Sequence, residues 1–148
     1  MEIMISLSAK AEKAARIQSG VVPYRIKGGE IEILMIKTKH ANNWGLPKGG
    51  LEPDLSLIES ALKEADEEAG AIGRPGMVIG QSEYVKGSTG RRQHVTWYLM
   101  HVTKLKQDYM EVNQRDRKWF SVDKAVSKID KGFLPILMKG LKLLAKHS

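Results

Sequence analysis

At 148 residues, with 42% hydrophobic and 28% charged positions, the chain has the composition of one folded domain with a sizeable core, which excludes a disordered or fibrous protein. No apolar run approaches the roughly 20 residues of a membrane-spanning helix, and the absence of cysteine excludes disulfides and thiolate chemistry. The net charge of +7 favours anionic partners, namely nucleic acid, an acidic membrane surface or a phosphorylated small molecule, although a lysine excess that only keeps the surface hydrated accounts for it equally well. The opening segment MEIMISLSAKAEKAAR lacks a long apolar stretch behind basic residues, so it does not read as a secretory signal and the expected location is cytoplasmic.

No repeat, low-complexity tract or linker divides the chain, so one domain over residues 1–148 is expected, with an N-terminal extension over 1–16 and a terminal helix over 133–148. Residues 19–24 and 31–36 are β-rich and flank Lys27-Gly28-Gly29-Glu30, the pattern of a hairpin. Residues 41–54, rich in Gly, Asn and Pro, read as a loop, followed by a helix over 57–69 and a Gly/Pro break over 70–76. Strands are expected over 77–85 and 94–102, joined by a polar stretch, and a short strand over 118–121. A short helix starts at Ser121, and residues 134–146 have helical periodicity. This order predicts an α/β (α+β) fold, a mixed β-sheet sandwiched between helices. The methionines read as core filler.

The helix over 57–69 carries the chemistry. Ser56-Leu57-Ile58-Glu59 is a capping box, and Gly70 suits the left-handed position after a helix end. At about 100° per residue, Ile58, Ala61, Leu62, Ala65 and Ala69 form an apolar arc. Glu64, Glu67 and Glu68 share a neighbouring arc, and Asp66 points away from them toward solvent. Acids near a helix C-terminus oppose the backbone dipole, and like charges at i, i+4 repel. A solvated acidic face tolerates that strain; a hard divalent cation such as Mg²⁺ or Mn²⁺ reverses it, because converging carboxylate oxygens are what such an ion requires.

The stretch from Gly49 to Gly70 resembles the Nudix box, G-x5-E-x7-R-E-U-x-E-E-x-G-U with U a bulky aliphatic residue. Gly49, Glu64, Glu67, Glu68 and Gly70 match at the box spacings. Leu55 stands where the box has its first glutamate, Lys63 replaces its arginine, and Ala65 and Ala71 replace bulkier residues. The resemblance implies a Nudix-type fold and a hydrolase that cleaves a diphosphate linkage with Mg²⁺ or Mn²⁺. It further implies metal ligation by Glu64, Glu67 and Glu68 with Gly49 close by, Lys63 as the positive orienting partner, and a catalytic base open between Glu64 and a downstream acid such as Glu111. Glu52 or Asp54 is the candidate substitute for the missing box glutamate.

The flanks are similar to the branch that hydrolyses diphosphoinositol polyphosphates and diadenosine polyphosphates, on Lys39 to Pro53, Arg92 to Tyr98 and Arg117 to Ala125. Phosphate-rich ligands need several cationic donors, for which Lys37, Lys39, His40, Lys48, Arg91, Arg92 and His94 are the candidates. Trp44 either stacks on a base or closes the loop over the core. One reading is thus an enzyme acting on a phosphorylated small molecule, as a monomer or homodimer and without a membrane role. The rivals are a binding module with an impaired box and a processor of messenger-RNA or dinucleotide ends; for the latter, no dedicated nucleic-acid-binding motif is visible.

Overall fold

The computed structural model describes residues 15–147, so most of the expected N-terminal extension over 1–16 lies outside the described residues. Within them, strand β1 (Ala15–Lys27) turns through Gly28 and Gly29, both at positive φ, into β2 (Glu30–Thr38), the expected hairpin with longer strands. β3 (Lys48–Gly50) follows, then helix α1 (Leu57–Ala69), β4 (Ala71–Lys86), β5 (Arg91–Leu105), β6 (Arg115–Ser121), α2 (Val122–Lys128) and α3 (Leu134–His147). No helix among the described residues is long and apolar enough to cross a membrane.

The strands form one mixed sheet in the order β4-β5-β1-β2-β6. β1 and β5 run parallel, with Ala15 beside Arg92 and Tyr24 beside His101, and the other neighbours are antiparallel. On its other side β1 has two successive partners: β3 against residues 18–20 and β2 against residues 24–27. The sheet therefore forks, and the loop 41–47 fills the fork, tied to β2 by reciprocal backbone bonds between Ile36 and Gly45.

Side chains alternate across this sheet. One face carries Val21, Leu34, Ile36, Met100 and Val102 and packs on Ala61, Ala65 and Ala69 of α1. The opposite face carries Val22, Ile33, Met35, Trp97, Leu99 and Phe120 and is covered by α2 and α3 through Ala125, Ile136, Leu137 and Leu144. The sheet thus lies between helices, as the element order predicts.

Four expectations change. The glycine-rich loop over 41–54 contains β3, held by pairing with β1. The Gly/Pro break over 70–76 shrinks to one left-handed residue, Gly70 (φ 62°, ψ 25°), and β4 begins at the next residue. Gly73, Pro75 and Gly76 stay in that strand because irregularities in its pairing with β5 absorb them. The buried side of α1 is rotated from the expected arc: Ser60 and Glu68 are buried while Ile58 is exposed, since the alanines, not the larger residues, face the sheet. Met35 and Met100 are core residues, whereas Met77, Met110 and Met138 are exposed.

Candidate functional site

The capping box at Ser56 and Glu59 and the left-handed Gly70 fix both ends of α1, so its acids project from a defined helix. Glu64 lies against the Cα of Gly49, where an added methyl group would overlap its carboxyl, and the backbone N–H of Lys48 donates to Glu68 Oε1 at 3.3 Å. Glycine at position 49 is what lets β3 pass this close to the helix. Burial, ahead of the attraction of Arg115, pushes Glu68 up to about 8, and burial raises the partly buried Glu64 as well.

The chain between β5 and β6 closes the site from the other side. The Glu111 N–H donates to the carbonyl of Glu67 at 2.9 Å, and the Glu111 carboxylate accepts from Arg115 Nε at 2.6 Å. Arg115 Nη2 stands 3.9 Å from Glu68 Oε2. Lys106 Nζ pairs with Asp66 at 2.6 Å, and Arg117 Nη1 donates to the Ala69 carbonyl at 2.7 Å. Three cations remote in sequence therefore offset the acids and the exposed carbonyls at the end of α1. This corrects the expectation that Asp66 simply faces solvent, since it is half-buried and ion-paired. Glu67 turns toward Lys63, at 3.9 Å, and Lys63 also binds Glu52 Oε1 at 2.9 Å.

Among the described residues, no group of three or more His, Asp or Glu side chains is arranged to hold a metal ion. The donor chemistry nevertheless fits a hard divalent cation. Glu64, Glu67, Glu68 and Glu111 offer only oxygen, and burial favours the protonated forms of Glu68 and of the partly buried Glu64.

A cavity of about 310 Å³ opens beside these acids in the fork of the sheet, lined by Lys37, Asn42, Trp44, Lys48, Glu68 and Arg115 among others. Trp44 closes the loop over the core by packing edge-on against Phe120 at 4.9 Å, and it also lines the cavity, with Lys37 Nζ 5.6 Å from its ring centre. Lys48 Nζ donates to Tyr84 Oη at 2.6 Å, and that hydroxyl donates to Gln18 Oε1 at 3.0 Å. Lys48 thereby links the first cavity to a second of about 280 Å³, lined by Ser82, Tyr84, Trp97, Asp130 and Phe133.

Lys37, in the cavity lining, shares Asp116 with Lys39, at 3.1 and 3.4 Å; the remaining candidate cations stand apart. Arg92 and His94 face Glu83, at 4.0 and 3.0 Å, and the His94 bond holds Glu83 below the usual carboxylate range. Arg91 reaches the Ala15 carbonyl. Beside them Arg16, which sequence reasoning passed over, lays its guanidinium across the Cα of Gly50. Arg16 is thus the link between this cationic end of the sheet and the acids: Gly50 adjoins Gly49, and Gly49 touches Glu64. Two pairings of β1 bring Arg16 there: with β5, which sets it beside Gln93, and with β3, which sets Gln18 opposite Gly50. Arg115 also escaped sequence reasoning, because its role depends on how the segment before β6 folds back.

The chain matches the family model described as the NUDIX domain over residues 15–138. It is 37% identical over 111 residues to Nudix hydrolase 21, chloroplastic, of Arabidopsis thaliana, covering 72% of this chain and 56% of that protein. It is 33% identical over 101 residues to human diphosphoinositol polyphosphate phosphohydrolase 3-beta, covering 66% of this chain and 59% of that one. The chain thus spans little more than half the length of these two relatives. A solved Ap4A hydrolase from C. elegans superposes with a TM-score of 0.71 at 21% identity, over 88% of this chain and 98% of that chain.

Proposed function

This chain belongs to the Nudix family, and we propose that it is a divalent-metal-dependent pyrophosphohydrolase that cleaves a diphosphate linkage in a phosphate-rich small molecule. The observation that carries the reading is the acidic face of α1, where Glu64 lies against Gly49 of β3 and the buried Glu68 opens onto a cavity walled by Lys37, Lys48 and Arg115. Acids alone repel a diphosphate, and cations alone bind it without activating water. Their adjacency suits a reaction in which both are needed.

Glu64, Glu67 and Glu68 would hold Mg²⁺ or Mn²⁺, which would supply Lewis-acid polarisation of a phosphoryl oxygen and acidification of water. The chain's own groups do the rest. Lys37 and Lys48 place positive charge in the cavity lining, and Trp44 and Phe133 supply its aromatic walls. Glu111, fixed by Arg115 and by its backbone bond to Glu67, stands ready to receive a proton from water, a role for which Glu64 is the alternative. Lys63 orients Glu67. Arg91, Arg92 and His94, joined by Arg16, extend the cationic surface toward additional phosphates, which supports dinucleoside polyphosphates and inositol pyrophosphates as the substrate class.

The test is phosphate release from a panel of dinucleoside polyphosphates, nucleotide sugars and inositol pyrophosphates with Mg²⁺ or Mn²⁺. Turnover of one phosphate-rich member, lost in Glu67→Gln and Glu68→Gln, supports the proposal. Tight binding with silence across the panel indicates instead a binding module, the reading that Leu55 in place of the box glutamate keeps open.

A further inference from the structure

Arg115 meets the acids unequally. Its Nε is 2.6 Å from Glu111, whose backbone is itself tied to Glu67, whereas its Nη2 is 3.9 Å from Glu68 Oε2. Glu68 Oε1 accepts from the Lys48 N–H, and Oε2 is the oxygen that faces Arg115. A guanidinium does not lose its charge at any working pH, and here it sits half-buried in the cavity wall, where water screens it poorly. It therefore supplies a permanent positive charge to the same oxygens that a divalent ion needs.

We propose that Arg115 is a positioning residue that acts as a tethered cation: it anchors Glu111 and occupies one cation position at the acidic cluster, so that a divalent ion enters by taking Glu68 from the guanidinium. The proposal rests on the reading that the acids of α1 hold such an ion. Two consequences separate it from a merely structural arginine. Removing the charge makes the cluster bind a divalent ion more tightly, because a like charge a few ångströms away is gone. Keeping the charge on a different side chain restores the original affinity.

The experiment is calorimetric titration of the folded, metal-free protein with Mn²⁺, alongside melting curves, for the native sequence, Arg115→Gln and Arg115→Lys. Arg115→Gln is expected to bind Mn²⁺ about fivefold more tightly or better, with Arg115→Lys within about twofold of the native affinity. Equal or weaker binding in a folded Arg115→Gln overturns the proposal while leaving the metal-site reading intact. No Mn²⁺ binding by the native protein overturns both. Should Arg115→Gln fail to fold, Arg115→Met provides the second arm: it removes the charge while keeping much of the side-chain volume and is expected to bind Mn²⁺ more tightly than the native protein, and equal or weaker binding overturns the proposal.

Discussion

Lys63 and Glu52 form an ion pair, Nζ to Oε1 at 2.9 Å, across the turn that leads from β3 into α1. Their positions matter because Leu55 and Lys63 stand where the Nudix box has a glutamate and an arginine. An acid three residues earlier meets the basic residue of the helix, while Leu55 joins an apolar groove with Leu62, Ile72 and Met100. Lys63 has a second contact, with Glu67, so Glu52 limits how far the lysine can swing.

From this pair, Glu52→Gln is expected to lower kcat severalfold and to leave the melting temperature nearly unchanged, since both side chains are more than a third exposed. Steady-state kinetics beside a melting curve checks it; unaltered kcat means that Lys63 does not need Glu52.

Gly49→Ala is expected to be far more damaging to turnover. The methyl group falls on the Glu64 carboxyl, so either β3 or the acid must move. A loss of about 100-fold in kcat, with Mn²⁺ affinity reduced and the circular dichroism spectrum preserved, is the expected result. Retention of native kcat would mean that Glu64 is free to leave Gly49 at no cost to the reaction.

Metal-free protein should lose stability as pH rises from about 4.5 to about 8. The sign follows from linkage: Glu68 has a folded pKa above its unfolded value, so in this window the native state keeps a proton that the unfolded chain has shed. Glu64 acts in the same direction. Melting temperatures in chelator across this range should fall, and Glu68→Gln should flatten the slope. A slope unchanged in Glu68→Gln assigns the effect to other groups.

Arg117→Ala is expected to cost about 1–2 kcal/mol, from the lost bond to the Ala69 carbonyl and the lost stacking on Tyr109, whose ring centre lies 4.7 Å away. Asp66→Asn, which breaks only the contact with Lys106, should leave kcat intact. Chemical denaturation and kinetics on the two variants separate the structural end of α1 from its reactive face; loss of kcat in Asp66→Asn would place that side chain among the working acids.

What could be read from sequence was what is encoded locally. Ser56, Glu59 and Gly70 mark the ends of α1 because capping is decided within a turn of chain, and the observed helix has the expected limits. The hairpin at Gly28-Gly29 is legible for the same reason. β3 was hidden because three residues of a glycine-rich loop become a strand only when β1 lies beside them. β4 was shortened because Gly73, Pro75 and Gly76 discourage a strand in isolation, a preference that pairing with β5 overrides. The acids are visible from helical spacing, but Lys106, Arg115 and Arg117, which pair with them and with the helix end, lie 40 to 48 residues further on and reach them only through the fold of β6 and the segment before it.

The parallel course of β1 and β5 has an effect at longer range. Strands that begin at the same edge bring the basic residues of their starts to the same pole, so Arg16, Arg91 and Arg92 add their fields instead of spreading them over the surface. Such a pole orients an approaching polyanion before contact, much as a lodestone turns a needle, and salt weakens that guidance. On the proposed function, encounter with a highly charged ligand should therefore slow with ionic strength, while turnover at saturating ligand should change less.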